Sequence, residues 1–180
     1  SICAITPVFN RRDLTLDCLR TLFESDLGGL DLHCIVVDDG SSDGSAAAIA
    51  DAFPQVEIIT GDGTLWYSEG TNVGIRSALL RDPDYMLLYN NDSRFPRDAL
   101  QKLVSCAERH PSSLVGGVLI DWDQPERIFQ VGTQWQTGYG GWRTWERQTV
   151  ASLPDRPFAV ETIVGNCMLV PTQAMRDCGL

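Results

Sequence analysis

The sequence predicts a three-layer α/β sandwich built on a mainly parallel central sheet. Strand-sized apolar runs alternate with stretches of helical periodicity through residue 110. The strands repeatedly give way to polar, glycine-containing loops. A chain of 180 residues with 43% apolar side chains also has enough material for one full core.

Residues 2–6 form an apolar strand stopped by Pro7. Asn10-Arg11-Arg12-Asp13 leads into a helix with Asp13 as its candidate cap, and Leu14, Cys18 and Leu22, widened by Leu19, supply the apolar stripe. Residues 33–37 are the second strand, followed by Asp38-Asp39-Gly40-Ser41-Ser42-Asp43-Gly44-Ser45. A short alanine-rich helix over 46–53 is stopped by Pro54, and 56–59 is the third strand. Residues 68–80 read as a helix with Ile75, Ala78 and Leu79 on one face, and 85–89 as a buried strand ending at Asn90-Asn91-Asp92. Pro96 then precedes a helix whose Leu100, Leu103, Val104 and Ala107 repeat at i, i+3, i+4 and i+7.

Beyond residue 110 the texture changes. Residues 114–120 read as a strand, and 163–170 as another. Between them, 121–157 is rich in Trp, Gln, Gly and Arg and includes Gly138-Tyr139-Gly140-Gly141-Trp142. A long, partly mobile connection or a pair of short strands is expected there. Residues 171–180 resemble the first turns of a helix.

Composition excludes several classes. No apolar window of about 18 residues exists, so this stretch has no transmembrane span, and its opening reads as a core strand and not a signal peptide. A net charge of -10 argues against a nucleic-acid-binding face, but not against one small nucleotide, because a divalent cation can bridge a carboxylate and a diphosphate. The six cysteines form no C-x-x-C pair, and the two histidines add no zinc-ligand spacing. The cysteines therefore read as buried free thiols of a cytoplasmic protein.

Three segments carry candidate chemistry. In Asp38-Asp39-Gly40-Ser41 at a strand's end, Asp39 is placed to accept from a uracil or thymine imide or from ribose hydroxyls, whereas Asp38, Ser42 and Asp43 suit turn and helix capping. As a calcium loop the run fails, with Ala50 where a bidentate Glu is needed. In Tyr89-Asn90-Asn91-Asp92-Ser93, Asp92 offers one anionic oxygen and Asn91 a neutral one for Mg2+ or Mn2+ shared with a diphosphate. Asn91-Asp92-Ser93 is also a glycosylation sequon, relevant only in a secreted protein. The third segment, Gly61-Asp62-Gly63-Thr64-Leu65-Trp66-Tyr67-Ser68-Glu69-Gly70-Thr71-Asn72, suggests a loop that wraps a ligand and enters a helix. Trp66 is open to two readings, cover for a sugar face or plain core, and Asn72 to capping or to contact with sugar or phosphate. Gly61-x-Gly63 lacks the third glycine of a dinucleotide fingerprint.

In order and spacing, TPVFNRRDLTLDCLRTLFES, IVVDDGSSDGS, LWYSEGTNVGIRSAL, YMLLYNNDSRFPRDAL and VGNCMLVP resemble glycosyltransferase family 2 on the Rossmann-like GT-A fold, and in particular its bacterial rhamnosyltransferase-like members. The resemblance implies that Pro7 and Phe9 line the nucleoside site, that Asp39 holds base or ribose, and that Asp92 is the last carboxylate of the family's metal-binding element. This chain carries Asn90 and Asn91 where acidic residues are common. Asn72, in Gly70-Thr71-Asn72-Val73-Gly74, resembles the family's Gly-x-Asn-x-Gly stretch near the donor.

It further implies an inverting, metal-assisted transfer from a UDP- or dTDP-sugar, dTDP-rhamnose among the candidates, to a saccharide or lipid-linked acceptor in cell-surface polysaccharide synthesis. The expected setting is cytoplasmic, with any association with the inner face of the membrane carried by chain beyond Leu180. On this reading residues 1–180 are one incomplete domain, 1–110 its nucleotide-binding half and 111–180 the start of its acceptor-side half. The general base is expected beyond residue 180.

Rival readings are a catalytically silent nucleotide-sugar-binding domain of the same fold and a sugar-nucleotide pyrophosphorylase. The latter calls for a glycine-rich basic loop where Thr6-Pro7-Val8-Phe9-Asn10 stands. A phosphate-receiver domain needs a lysine on a later strand, and the only lysine is Lys102, inside a predicted helix.

Overall fold

The computed structural model describes residues 1–136, 140–143 and 148–179, with residues 142 and 143 by backbone alone. Gly138 and Tyr139 of the glycine-aromatic stretch therefore lie outside the described residues. Four strands, β1 (Ile2–Val8), β2 (Leu32–Asp38), β3 (Glu57–Thr60) and β4 (Tyr85–Tyr89), are linked by α1 (Arg12–Phe23), α2 (Ser45–Ala52) and α3 (Trp66–Arg81). After α4 (Ala99–Arg109) come short strands β5 (Val115–Gly116), β6 (Leu119–Ile120), β7 (Ile128–Gln130), β8 (Gln134–Gln136) and β9 (Gly141–Arg143). They are followed by β10 (Cys167–Pro171) and α5 (Thr172–Cys178).

The central sheet runs β3-β2-β1-β4-β10-β5. β1 pairs in parallel with β2 and β4, and β2 with β3, while β10 lies antiparallel to β4 and β5. The mainly parallel, three-layer α/β sandwich expected from the sequence is therefore what forms.

Strand alternation sorts side chains into two cores. Ile2, Ala4, Cys34, Val36, Leu87 and Tyr89 face α1, α2 and α4, meeting Cys18, Leu19, Ile49 and Leu100. Cys3, Ile5, Ile35, Val37, Met86 and Leu88 face the other way, toward Ile75 and Ala78 of α3 and Met175 of α5. Burial on both faces explains why these strands read as continuous apolar runs. Cys3, Cys18, Cys34 and Cys167 are buried, and burial pushes Cys3 and Cys34 up to about 12, so these thiols behave as small apolar side chains.

Several local expectations are corrected. Pro7 does not stop β1, which continues to Val8 beside β2. Pairing with β4 ends at Ile5, so on that side no ladder bond is asked of Pro7. Asp13 does not cap α1; its carboxylate accepts from Arg12 Nε at 3.0 Å. The α1 stripe contains buried Thr15, while Leu14 is exposed. The apolar run 114–120 breaks into β5 and β6, which belong to different sheets. Only the end of 163–170 is strand, because β10 begins at Cys167. Of the two alternatives expected for 121–157, the short strands are present: the stretch contains β7 to β9, with β8 and β9 paired antiparallel.

Helix α3 can lie close on β1 because glycines face it. A Cβ on Gly70 would stand 3.0 Å from Pro7 Cβ, and one on Gly74 would run into Ile5 Cγ2. Gly74→Ala is therefore expected to cost about 1–3 kcal/mol through overpacking, read as a lower urea midpoint; an unchanged midpoint would refute this packing.

At the opposite end of the sheet Glu57 accepts from Ser77 Oγ at 2.6 Å and Arg81 Nη2 at 2.7 Å, with His33 Nε2 2.9 Å away. Burial pushes this carboxyl up, but the bonds from Ser77, His33 and Arg81 outweigh it and hold the group at about 2 against an ordinary 4.5. A depressed folded value stabilises above the unfolded one, so the contribution is full above about pH 4.5 and is lost as pH falls toward about 2. With solvent screening discounted it is on the order of 1 kcal/mol. Urea melts at pH 6 and pH 3 should show a smaller acid loss for Glu57→Gln than for the parent.

Candidate functional site

In an open parallel sheet the loops at the carboxyl ends of the strands define the crevice, and the order β3-β2-β1-β4 puts the topological switch between β1 and β4. Pro7, Phe9, Asp39, Trp66, Asn91 and Asp92 all lie at this edge or in the loops and helix start that leave it. Asn72 does not, being in the second turn of α3.

The loops after β1 and β2 are closed on each other. Asn10 N–H donates to Ser41 Oγ at 2.7 Å, and Ser42 N–H donates to Asn10 Oδ1 at 2.9 Å. Asp43 starts two helices: Oδ2 accepts Arg12 N–H at 2.9 Å at the head of α1, and Oδ1 accepts Ser45 N–H at 3.0 Å at the head of α2. The Ser45 hydroxyl, then the Arg12 amide, hold the Asp43 carboxyl below its ordinary range. Asp38 Oδ1 accepts Ser41 N–H at 2.9 Å. The capping roles expected of Asp38 and Asp43 are thus present, and Asp43 also does what was expected of Asp13.

Asp39 is 5% exposed and holds the loop after β3. Oδ1 accepts Gly63 N–H at 2.8 Å and Oδ2 accepts Trp66 N–H at 2.9 Å. Gly61 lets this carboxylate approach, since a Cβ there would stand 2.7 Å from Asp39 Oδ1. Trp66 adopts φ +56°, a strained conformation for a bulky residue, and the residue is 82% exposed. The core reading of Trp66 is therefore wrong. Phe9, 62% exposed, is a second aromatic open to solvent at this edge. Asn72 does not cap α3, which begins six residues earlier; its Nδ2 donates to Glu69 Oε2 at 3.3 Å.

Across the switch point, Arg11 Nη1 stands 3.1 Å from Asp92 Oδ2. Asn91 Nδ2 donates to Thr15 Oγ1 at 2.8 Å, and that hydroxyl donates to Arg11 O at 3.1 Å. The segment 164–167 arrives alongside: Asn90 N–H donates to Asn166 O at 3.2 Å, and Tyr67 OH to Gly165 O at 3.3 Å. Among the described residues, Asn90 Oδ1 is buried without a hydrogen-bond partner.

Sequence reasoning passed over Arg11, Thr15 and the side chain of Asn10. Asn tolerates the left-handed backbone that Asn10 adopts at φ +60°, which was a usable signal. Nothing local marks Arg11 or Thr15.

The oxygen-only set of Asp92, Asn91 and Asn90 suits a hard cation. It holds a single carboxylate, and among the described residues no group of three His, Cys, Asp or Glu could hold a metal ion. The set therefore fits Mg2+ or Mn2+ as an ion shared with a ligand's phosphates, not as a resident of a protein cage.

Residues 3–174 match the profile of Glycosyl transferase family 2. No curated protein matches the chain by sequence. Among solved structures, the chain is similar to the mannosyltransferase PcManGT from Pyrobaculum calidifontis in complex with GDP-Man and Mn2+, at 16% identity and TM-score 0.63, covering 99% of this chain and 46% of that one. It is also similar to S. aureus TarS 1-349 in complex with UDP-GlcNAc, at 13% identity and TM-score 0.65, covering 98% of this chain and 47% of that one. Such identities show a shared fold, and the chain spans about half the length of these structures.

Asp39→Ala is expected to leave the Gly63 and Trp66 amides without acceptors and to cost about 2–4 kcal/mol. Amide exchange should accelerate at Gly63 and Trp66; unchanged protection there would show that the loop does not depend on this carboxylate.

Proposed function

Because the chain belongs to Glycosyl transferase family 2, we propose that it binds a nucleoside-diphosphate sugar at the β1–β4 edge and takes part in inverting transfer of that sugar. The donor proposed is a UDP- or dTDP-sugar, dTDP-rhamnose included, and the acceptor a saccharide or lipid-linked saccharide of cell-surface polysaccharide synthesis. The observation that carries the reading is the convergence of Pro7, Phe9, Asp39, Asn91 and Asp92 on the carboxyl ends of adjacent parallel strands, with exposed aromatics above a carboxylate-ordered loop. The similar folds bound to GDP-Man with Mn2+ and to UDP-GlcNAc support the ligand class.

In this reading Pro7 and Phe9 flank the nucleoside and Trp66 covers the sugar. Asp39 already accepts one amide on each oxygen, so it would receive a base imide or ribose hydroxyl on remaining lone pairs. Asn72, in the second turn of α3, is the proposed contact to sugar or phosphate from below the edge. Asp92, with Asn91, would hold Mg2+ or Mn2+, which when bound offsets charge growing on the departing diphosphate. The acceptor hydroxyl must lose its proton as its oxygen attacks the sugar carbon, a task in which a general base is worth ~10²- to 10⁴-fold. We assign that base to no residue between 1 and 180. The proposed setting is the cytoplasm or the inner face of a membrane; among the described residues no helix is long and apolar enough to cross one.

A catalytically silent binding domain is the second reading, favoured by the asparagines at 90 and 91 that leave Asp92 as the lone carboxylate of its segment. Calorimetric titration of UDP, dTDP and GDP, with and without Mn2+, tests the ligand class. The expected result is metal-dependent binding of UDP or dTDP that Asp92→Ala removes. Equal binding by parent and variant would defeat the metal assignment.

A further inference from the structure

The cations near the switch point are not equivalent. Arg12 Nε is 3.0 Å from Asp13 Oδ1, and Arg94 is held by Asp17 and lies over the Trp122 ring at 3.3 Å. Arg11 is different, because the ion pair it makes crosses the crevice, to the carboxylate proposed to carry the cation.

Its backbone is fixed and its side chain is not. Residues 10 and 11 both have left-handed backbones, φ +60° and +62°. Asn10 is locked to Ser41 and Ser42, and Arg11 O accepts both Thr15 N–H at 3.0 Å and the Thr15 hydroxyl at 3.1 Å. Two consecutive non-glycine residues in this region are costly, and such conformations persist only where the surroundings enforce them. The effect is to present Arg11 to the crevice from a rigid base, while its side chain remains 62% exposed and that of Asp92 41% exposed. An exposed pair of this kind is weak and exchangeable.

Resting on the nucleotide-sugar reading, we propose that Arg11 is a built-in counter-cation. It neutralises Asp92 until a divalent ion takes that carboxylate, then turns to the donor's diphosphate. A cation arriving with a diphosphate satisfies Asp92 more strongly than the guanidinium does and brings anionic oxygens to the same place. The planar guanidinium matches phosphate oxygens bidentately, so release from Asp92 and capture by phosphate are one exchange. The protein as a whole is strongly acidic, at net charge -10, and this edge also carries Asp38, Asp39, Asp43 and Asp62. A cation delivered on demand lets the site admit a polyanion without a standing basic patch. Arg11 is thus a positioning and specificity residue for the diphosphate.

The exchange predicts opposite effects of one substitution. Arg11→Gln should bind Mn2+ alone roughly threefold more tightly, because the ion no longer competes with a guanidinium. With Mn2+ present, the preference of UDP or dTDP over uridine or thymidine should fall about tenfold, the loss expected for one charge-assisted phosphate contact. Arg11→Lys should recover part of that preference as a point charge. Mn2+ binding is read by water-proton relaxation and nucleotide binding by calorimetry, with circular dichroism confirming that both variants fold. Asp92→Asn added to Arg11→Gln should erase the gain in Mn2+ affinity. If Arg11→Gln leaves either quantity unchanged while the parent binds nucleotide with Mn2+, the exchange is overturned and the ligand reading stands. If the parent shows no Mn2+-dependent nucleotide binding, both fall.

Discussion

The candidate site depends on one buried carboxylate. Asp39 sits just past the end of β2 and accepts on one oxygen from Gly63 of the loop after β3, on the other from Trp66 at the start of α3. Those two bonds fix where the loop after β3 ends and where α3 begins, and so which way the Trp66 ring leaves the backbone. Helix α3 in turn lies on β1 through Gly70 and Gly74, so the start of the helix is packed directly against the end of the first strand. A group read from sequence as a ligand contact is first a structural one, and any ligand it holds meets an oxygen whose orientation is already set.

The second organising fact is electrostatic. The edge gathers acidic side chains from several strand-end loops, and most are engaged with backbone amides: Asp38 with Ser41, Asp39 with Gly63 and Trp66, Asp43 with Arg12 and Ser45, Asp62 with Thr64. Amide-bound carboxylates order loops, and charge-assisted bonds of this kind are among the stronger ones available. Asp92 stands apart, since its partner is a solvent-exposed guanidinium. That contrast, more than the count of carboxylates, distinguishes the position able to exchange partners from those that hold the architecture.

Segment 164–167 ties the amino-terminal α/β unit to β10 and α5. Its carbonyls accept from Asn90 and from Tyr67, placing the antiparallel β10 beside the loop after β4. Residues far apart in sequence thereby close one side of the crevice. The family match, residues 3–174, spans both regions.

Read alone, the sequence determined the layer order, the parallel strands, the helix faces of α3 and α4, and the polar loops at the strand ends. These come from local periodicity and from turn residues, which short-range sterics and burial impose wherever the segment sits. It could not decide that Asp43 caps α1 in place of Asp13, that 114–120 divides between two sheets, or that Trp66 faces solvent. Nor could it show that Arg11 spans to Asp92. Each of these depends on which loop lies opposite which, and a hydrogen bond between residues 31 or 81 positions apart leaves no periodic trace in the chain. Only the tertiary fold brings such partners within reach.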